Sequence, residues 1–407
     1  MELEEAIFNQ KNISNIIRNI LTLRYEPSQK PVLPILKYDN FLPSKKLDLN
    51  FIETTLANSL KNKLVSTNNL AISLSGGIDS TLVLALLRNT FPEIQINAFS
   101  IKFSNSVDET PDAKKIANFF EAEHEVIFVE NYLLDLPTAI SITGLPFWDI
   151  HWYYVAKKVQ NKFDFLASGD GGDELFSGYV FRYSKFLSMI NSQSSVTEKI
   201  KAYLLCHERD WVPYQENIFN KKSNFSWNMI HSIFEPFFNN SLSLLNQVFL
   251  ADYNGKLLYN FSLISTRINN YFNLESITPL LSPEIISYAT HLSPELKYNA
   301  AENIGKIPLR QLLVKYNCDS LISKEKLGFS VNTINLWNSN GRELCKSYLD
   351  NSRIVEDGWI NKEWISNYIN KSDLDVRYVN KFLGLLSQEI WYRIFITKEM
   401  SSKDKLS

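Results

Sequence analysis

The sequence predicts an α/β fold: a parallel sheet with helices on both faces, followed by a mostly helical C-terminal half. Three observations predict it. Short apolar runs alternate with helical patterns between residues 48 and 179, which is the rhythm of strand–helix–strand units. The short runs are largely apolar throughout, as parallel strands buried on both faces are. Two glycine-rich acidic stretches, SGGIDS (75–80) and SGDGGDE (168–174), directly follow such runs, where sheets of this kind bind ligands.

Each element follows in order. Residues 1–47 hold two short apolar segments and the proline-spaced stretch YEPSQKPVLPILKYDNFLPSKK (25–46); they read as an N-terminal extension too short for a core of its own. A single larger domain is expected over residues 48–400. From Asp48 an amphipathic helix carries Phe51, Ile52, Leu56, Leu60 and Leu64. NLAISLS (69–75) reads as the first strand and TLVLALL (81–87) as a helix. IQINAFSIKF (94–103) is the second strand, and Asp108–Ala122 a helix with Ala113, Ile116, Ala117 and Phe120 inward. HEVIFV (124–129) is the third strand, His151–Gln160 a helix, and FDFLAS (163–168) the fourth strand. Beyond Tyr179 the pattern is helical, aromatic-rich and poor in glycine.

Composition bounds the function. With 45% hydrophobic and 21% charged residues over 407 positions, the chain has the balance of a soluble globular protein. A formal net charge of −2 argues against non-specific nucleic-acid binding. No apolar run approaches the ~20 residues that span a bilayer. The opening MELEEAIFNQ has no signal-peptide pattern, so a cytoplasmic location is expected. Cys206, Cys318 and Cys345 are odd in number and lack CxxC spacing, so they are expected as reduced, mostly buried thiols.

The chemistry concentrates in the two glycine-rich loops. The chain has only 13 glycines, and four of them fall in ASGDGGDELFSGY (167–179) with three carboxylates. In Ser75–Gly76–Gly77–Ile78–Asp79–Ser80, glycines bring N–H groups close to an anion at a helix N-terminus. The alternative is a plain strand-to-helix turn with Asp79 or Ser80 as N-cap. A carboxylate in a phosphate cradle needs a cation, however, and Asp173 offers a second one from another strand end. Two hard oxygen ligands with phosphate oxygens suit Mg²⁺.

LSGGIDST (74–81) resembles the pyrophosphate-binding loop of the N-type ATP pyrophosphatases, the PP-loop superfamily. LASGDGGDELFSGY (166–179) resembles the second signature of the asparagine synthetase C-terminal (synthetase) domain family. NAD and GMP synthetases and tRNA-thiolating enzymes share a loop of the first kind but not the second. DETPDAKKIA (108–117) is similar to the family's DExxxAxxxA helix, and His124 to the histidine before its third strand. KIPLR (306–310), KEKLGFS (324–330) and QEIWYRIF (388–395) are similar to further blocks in order, so the likeness covers roughly residues 48–396.

The resemblance implies an adenine nucleotide alpha-hydrolase-like fold and an ATP- and Mg²⁺-dependent, AMP-forming carbon–nitrogen ligase. Such an enzyme adenylates a carboxylate with loss of pyrophosphate; a nitrogen nucleophile then displaces AMP. By the same resemblance Ser75, Gly76, Gly77, Asp79, Ser80 and Thr81 hold pyrophosphate, and Lys324 and Lys326 assist. Asp79 and Asp173 hold Mg²⁺, while Ile101, Ser168 and Gly169 border adenine. Lys306, Asp170 and Glu275 form the implied catalytic set, with Lys306 the family's lysine aimed at charge developing on phosphorus. A surface lysine is the ordinary alternative for Lys306. His124 reads as a core histidine, Glu174 as a supporting carboxylate, and Tyr179 and Arg182 as packing residues.

Two departures from the family pattern bear on substrate. The family's glutaminase domain begins with a cysteine nucleophile. This chain begins Met1–Glu2, with residues 21–46 resembling only the tail of that domain, so glutamine hydrolysis by the chain itself is not expected. Free ammonia, a separate glutaminase subunit or an amine would supply nitrogen. The block ExRxPFLD reads ESITPLLS (275–282), with Ile277 and Ser282 at the arginine and aspartate positions, and the upstream Asp–Arg pair reads Thr266–Arg267. Aspartate-to-asparagine conversion stands first on family frequency, with another carboxylate or a peptide (a macrolactam or biosynthetic ligase) close behind. A nucleotide-binding subunit of a glutaminase complex is a reading of a different class. A tRNA-modifying enzyme is disfavoured by the lack of Cys pairs and of basic surplus.

Overall fold

A computed structural model describes residues 9–406 except 66, 68, 105 and 323–330. The apolar runs pair as one five-stranded sheet, ordered β3-β2-β1-β4-β5 and parallel throughout. Its strands are β1 (Asn69–Ser73), β2 (Gln95–Phe103), β3 (Glu123–Val129), β4 (Phe165–Ala167) and β5 (Glu275–Ile277). Alternate side chains feed two cores. Leu70, Ile72, Ile96 and Ala98 face one, and Ala71, Phe99, Ile101 and Phe103 face the other, as a pleated strand buried on both faces requires.

Helices cover both faces. On the first lie α2 (Leu49–Lys63) and α3 (Ile78–Thr90); Asp48 caps α2 by accepting from the Phe51 N–H at 3.0 Å. Helix α3 is buried continuously from Ser80 to Leu87, the mark of a helix enclosed on all sides. α4 (Thr110–Phe119) also packs there through Ala113, Ile116 and Ala117. On the second face lie α5 (Leu136–Thr143) and α6 (His151–Val159). Strand order reverses at β1, because β2 and β3 extend to one side and β4 and β5 to the other. The carboxyl ends of β1 and β4 therefore flank a crevice, the place where open parallel sheets bind ligands.

The N-terminal segment is part of the body. Helix α1 (Gln10–Leu23) places Ile13, Ile16, Ile17, Ile20 and Leu21 in the second core, while Leu23, Tyr25 and Phe41 enter the first. Arg24 ends α1 in the left-handed conformation. Its guanidinium bonds Asp149 at 2.5 Å and lies 4.9 Å from the Trp148 ring centre, so this segment grips the loop that starts α6.

After β4 the chain is helical as expected, from α7 (Gly172–Leu175) and α8 (Val180–Met189) to a closing helix over Val376–Phe395. β5 is an exception that the helical expectation passed over. Among the described residues no helix is long and apolar enough to cross a membrane. Cys318 and Cys345 are buried, Cys206 is half-buried, and all three are free thiols; burial pushes Cys318 up to about 11 and Cys206 up to about 12.

Candidate active site

A cavity of about 620 Å³ opens at the carboxyl ends of β1 and β4, and both glycine-rich loops line it. The first loop closes on itself through hydroxyls. Ser75 and Ser80 Oγ atoms are 3.0 Å apart, the Gly77 N–H donates to Ser75 Oγ at 3.2 Å, and the Thr81 hydroxyl donates to the Gly77 carbonyl at 2.7 Å. Gly77, not Asp79 or Ser80, is the N-cap of α3. The turn alternative therefore gives way to a loop whose acid stands inside the first helical turn, facing the cavity.

The second loop fits against the first only because it carries glycine. A Cβ on Gly169 would lie 2.6 Å from Ser80 N and 2.7 Å from Asp79 C, both backbone atoms that cannot swing aside. Ser168 N–H donates to the Ile277 carbonyl of β5 at 3.0 Å, which fixes the loop's root. The glycine cluster thus serves close approach of one loop to the other.

Lys306 joins the two loops. Its N–H donates to the Phe176 carbonyl at 2.9 Å, and it caps α14 (Ile307–Lys315) in the left-handed conformation with φ 58. Its ammonium bonds Asp79 and also lies 2.6 Å from Asp173. Burial alone would lower the Lys306 pKa, but the two carboxylates more than offset it, and the net shift is upward. The surface-lysine alternative fails, since Lys306 is only 6% exposed. Asp79 and Asp173 already share one cation. With phosphate oxygens and water they meet the needs of Mg²⁺, and among the described residues no cluster of three or more metal-ligating side chains competes.

Other expected residues sort by position. Asp170 lines the cavity, its carboxyl raised by desolvation and by neighbouring Asp79. Ser168 and Gly169 line it as well. Ile101 has its side chain in the second core, so it can border a ligand only through its backbone. Thr81 is fully buried behind the loop and braces it rather than touching a ligand. Glu275 departs furthest from expectation. It opens β5, pairs in register with Phe165 at the amino end of β4, and is exposed, at the end of the sheet away from the cavity. Lys324 and Lys326 lie outside the described residues.

The cavity also holds residues that sequence reading left out of the site. Arg310, one turn after Lys306 in KIPLR, lines the wall and donates from Nε to the Gly305 carbonyl at 3.0 Å. Glu109, Trp152, Tyr179 and Phe261 line it too. Glu174, read as a supporting carboxylate, accepts from the Tyr179 hydroxyl at 2.5 Å. Its pKa is raised to about 7, by desolvation first and Asp173 second. His124 bonds the Ser100 hydroxyl at 2.9 Å, and that hydroxyl is 2.6 Å from the Leu74 carbonyl. The histidine thus braces the end of β1, consistent with a structural role.

The asparagine synthase family model matches residues 52–393. The chain belongs to the asparagine synthase family. Asparagine synthetase [glutamine-hydrolyzing] 1 of Bacillus subtilis (strain 168) is 24% identical over 360 residues, covering 80% of this chain and 56% of that protein. The asparagine synthetase [glutamine-hydrolyzing] of Gallus gallus is 33% identical over 144 residues, 32% of this chain and 25% of the relative. That of Rattus norvegicus is 29% identical over 153 residues, 32% and 26% respectively. The chain thus spans about half or less of the length of these relatives. Within the family's blocks, Arg267 points away from the cavity: it donates to the Thr143 carbonyl and, at 3.0 Å, to Gln29 Oε1. Ile277 is buried in the first core.

Proposed function

We propose that this asparagine synthase family protein is an ATP- and Mg²⁺-dependent, AMP-forming amide ligase. The observation that carries the reading is Lys306, buried and clasped by Asp79 and Asp173 where the two glycine loops meet. A fixed ammonium at that place is preorganised for charge developing on a phosphoryl group. The N-terminus of α3 and the Gly76–Gly77 backbone offer donors to pyrophosphate.

In the first step a substrate carboxylate oxygen bonds the α-phosphorus of ATP, the α–β anhydride bond breaks, and pyrophosphate departs. Mg²⁺, where bound, would sit on Asp79 and Asp173 and neutralise phosphate charge. In the second step an amine nitrogen bonds the acyl carbon, the carbon–oxygen bond to AMP breaks, and the amine's proton passes to a carboxylate. Asp170, raised by its surroundings, is suited to receive it.

The relatives' names give aspartate as the first acid to test; Ile277 and Ser282 in place of charged groups favour a second reading, a different carboxylate. Nitrogen arrives as free ammonia, from a separate glutaminase or as an amine. Pyrophosphate release measured over a panel of carboxylates with each donor tests the reading. It predicts release that needs both acid and ATP. Tight ATP binding with no release for any pair would overturn it.

A further inference from the structure

Two parts of the cavity wall hang from one residue that does not line it. His151 and Trp152 line the cavity from the start of α6, and Phe261 lines it from another element; Arg24 is absent from the lining. Arg24 ends α1 with φ 63 and ψ 27, its N–H donating to the Ile20 carbonyl. A glycine would adopt this left-handed conformation at less cost, but it would bring no guanidinium. The planar guanidinium carries several donors in a fixed fork. Here it faces two acids, Asp149 at 2.5 Å and the buried Asp210 at 3.9 Å.

Each end of Arg24 reaches one part of the wall. Through its side chain it holds Asp149, two residues before His151. Its carbonyl accepts from Asn260 Nδ2 at 2.8 Å, and Asn260 directly precedes Phe261 in the π-helical segment Tyr253–Phe261. That segment is tied a second time, because Lys256 bonds Asp210. The far sides are joined as well. Trp152 Nε1 donates to Asn269 Oδ1 at 2.8 Å, and Asn269 lies on the helix Ser262–Tyr271 that continues from Phe261. Arg24, Asp149, the start of α6, Asn269, that helix and Asn260 therefore form a closed frame. Charge-assisted bonds are short and geometrically specific, so the Arg24 corner fixes the spacing of the two sides. The nucleotide's expected holders, the glycine loops and Lys306, contribute no residue to this frame.

We infer that Arg24 is a positioning residue for the reacting acid: without touching substrate, it sets the separation between His151–Trp152 and Phe261, and with it the fit of the carboxylate substrate. The inference rests on the amide-ligase reading for there being such an acid. It assigns the N-terminal segment a part in substrate choice, while nucleotide binding is independent of it.

The test reads His151 by NMR in the full chain, its ring signals identified by their loss in His151→Gln. Burial lowers the His151 pKa first, Asp149 raises it and Arg24 lowers it. Arg24→Met should therefore move the titration to higher pH, and Asp149→Asn to lower pH. Asn260→Ala leaves every charge in place. It and Arg24→Met should each raise the KM of the carboxylate in pyrophosphate release on the order of tenfold while kcat is retained. The Kd of a non-hydrolysable ATP analogue and a cooperative thermal melt should be retained too, a split that a brace with no bearing on substrate would not produce. A His151 titration unmoved in both charge variants overturns the inference, as does an unaltered KM or an equal rise in analogue Kd. If the wild type releases pyrophosphate with no acid at all, the ligase reading falls, and the His151 titration still decides whether Arg24 holds the wall.

Discussion

Lys306 holds the site together at the scale of single residues, and its replacement separates chemistry from folding. Lys306→Met leaves Asp79 and Asp173 facing each other without a cation. Removing one partner of a buried pair is strongly destabilising; because this pair borders a water-accessible cavity, a loss of ~2 kcal/mol is expected, read as a lowered denaturation midpoint. Pyrophosphate release should disappear in the same variant. Asp79→Asn should abolish release with far less effect on the fold, and wild-type rates from it would refute the metal assignment. Glu174 supplies a pH signature. Its folded pKa of about 7 lies above the ordinary 4.5, so the folded state holds a proton that the unfolded chain releases. Its stabilising contribution is complete below pH 4.5 and is lost as pH rises through 7. Glu174→Gln should flatten that part of the stability profile, and an unchanged slope would contradict the assignment.

Elements were legible in proportion to their length and apolar content. β1, β2 and β3 were readable because buried parallel strands are continuously apolar, and α2 because its apolar spacing follows an Asp48 cap. β5 was not, since three residues show no period, and its ExRxPFLD-like block drew attention to Glu275 as a reacting group. In the fold that block anchors the second glycine loop instead, through the Ile277 carbonyl that accepts from Ser168. Helix α3 begins at Ile78, three residues before the apolar run suggested, because Gly77 rather than a hydroxyl or acid serves as its N-cap. The packing of loop on loop could be guessed from glycine content but not located. It is tested by Gly169→Ala, whose methyl would press on the Ser80 and Asp79 backbone. Overpacking of this kind costs roughly 1–3 kcal/mol. ATP-analogue affinity should fall with it, and unaltered affinity would show that the loops have slack.

For the molecule as a whole, the parallel sheet and the positions of both loops followed from sequence rhythm, whereas the strand order and the role of the N-terminal segment did not. Residues 1–47 read as an extension because they lack enough apolar surface for a separate core. In the fold their described part fills both shared cores and, through Arg24, holds Asp149 two residues before His151. Such tertiary integration leaves no local pattern to read. Deleting residues 1–47 should therefore yield protein without a cooperative melt, and a truncated chain that melts like the full one would contradict it. Lys306, Asp170 and Glu174 were found through their sequence blocks, but Glu109, Trp152 and Phe261 were not placed in the site, because they come from three further parts of the chain.

The central claim is that a carboxylate is activated on phosphorus. It is tested most directly by supplying the acid with heavy oxygen in its carboxylate and weighing the products by mass spectrometry. The account predicts one heavy oxygen in AMP and none in pyrophosphate. Heavy oxygen in inorganic phosphate, or AMP without the label, would contradict it.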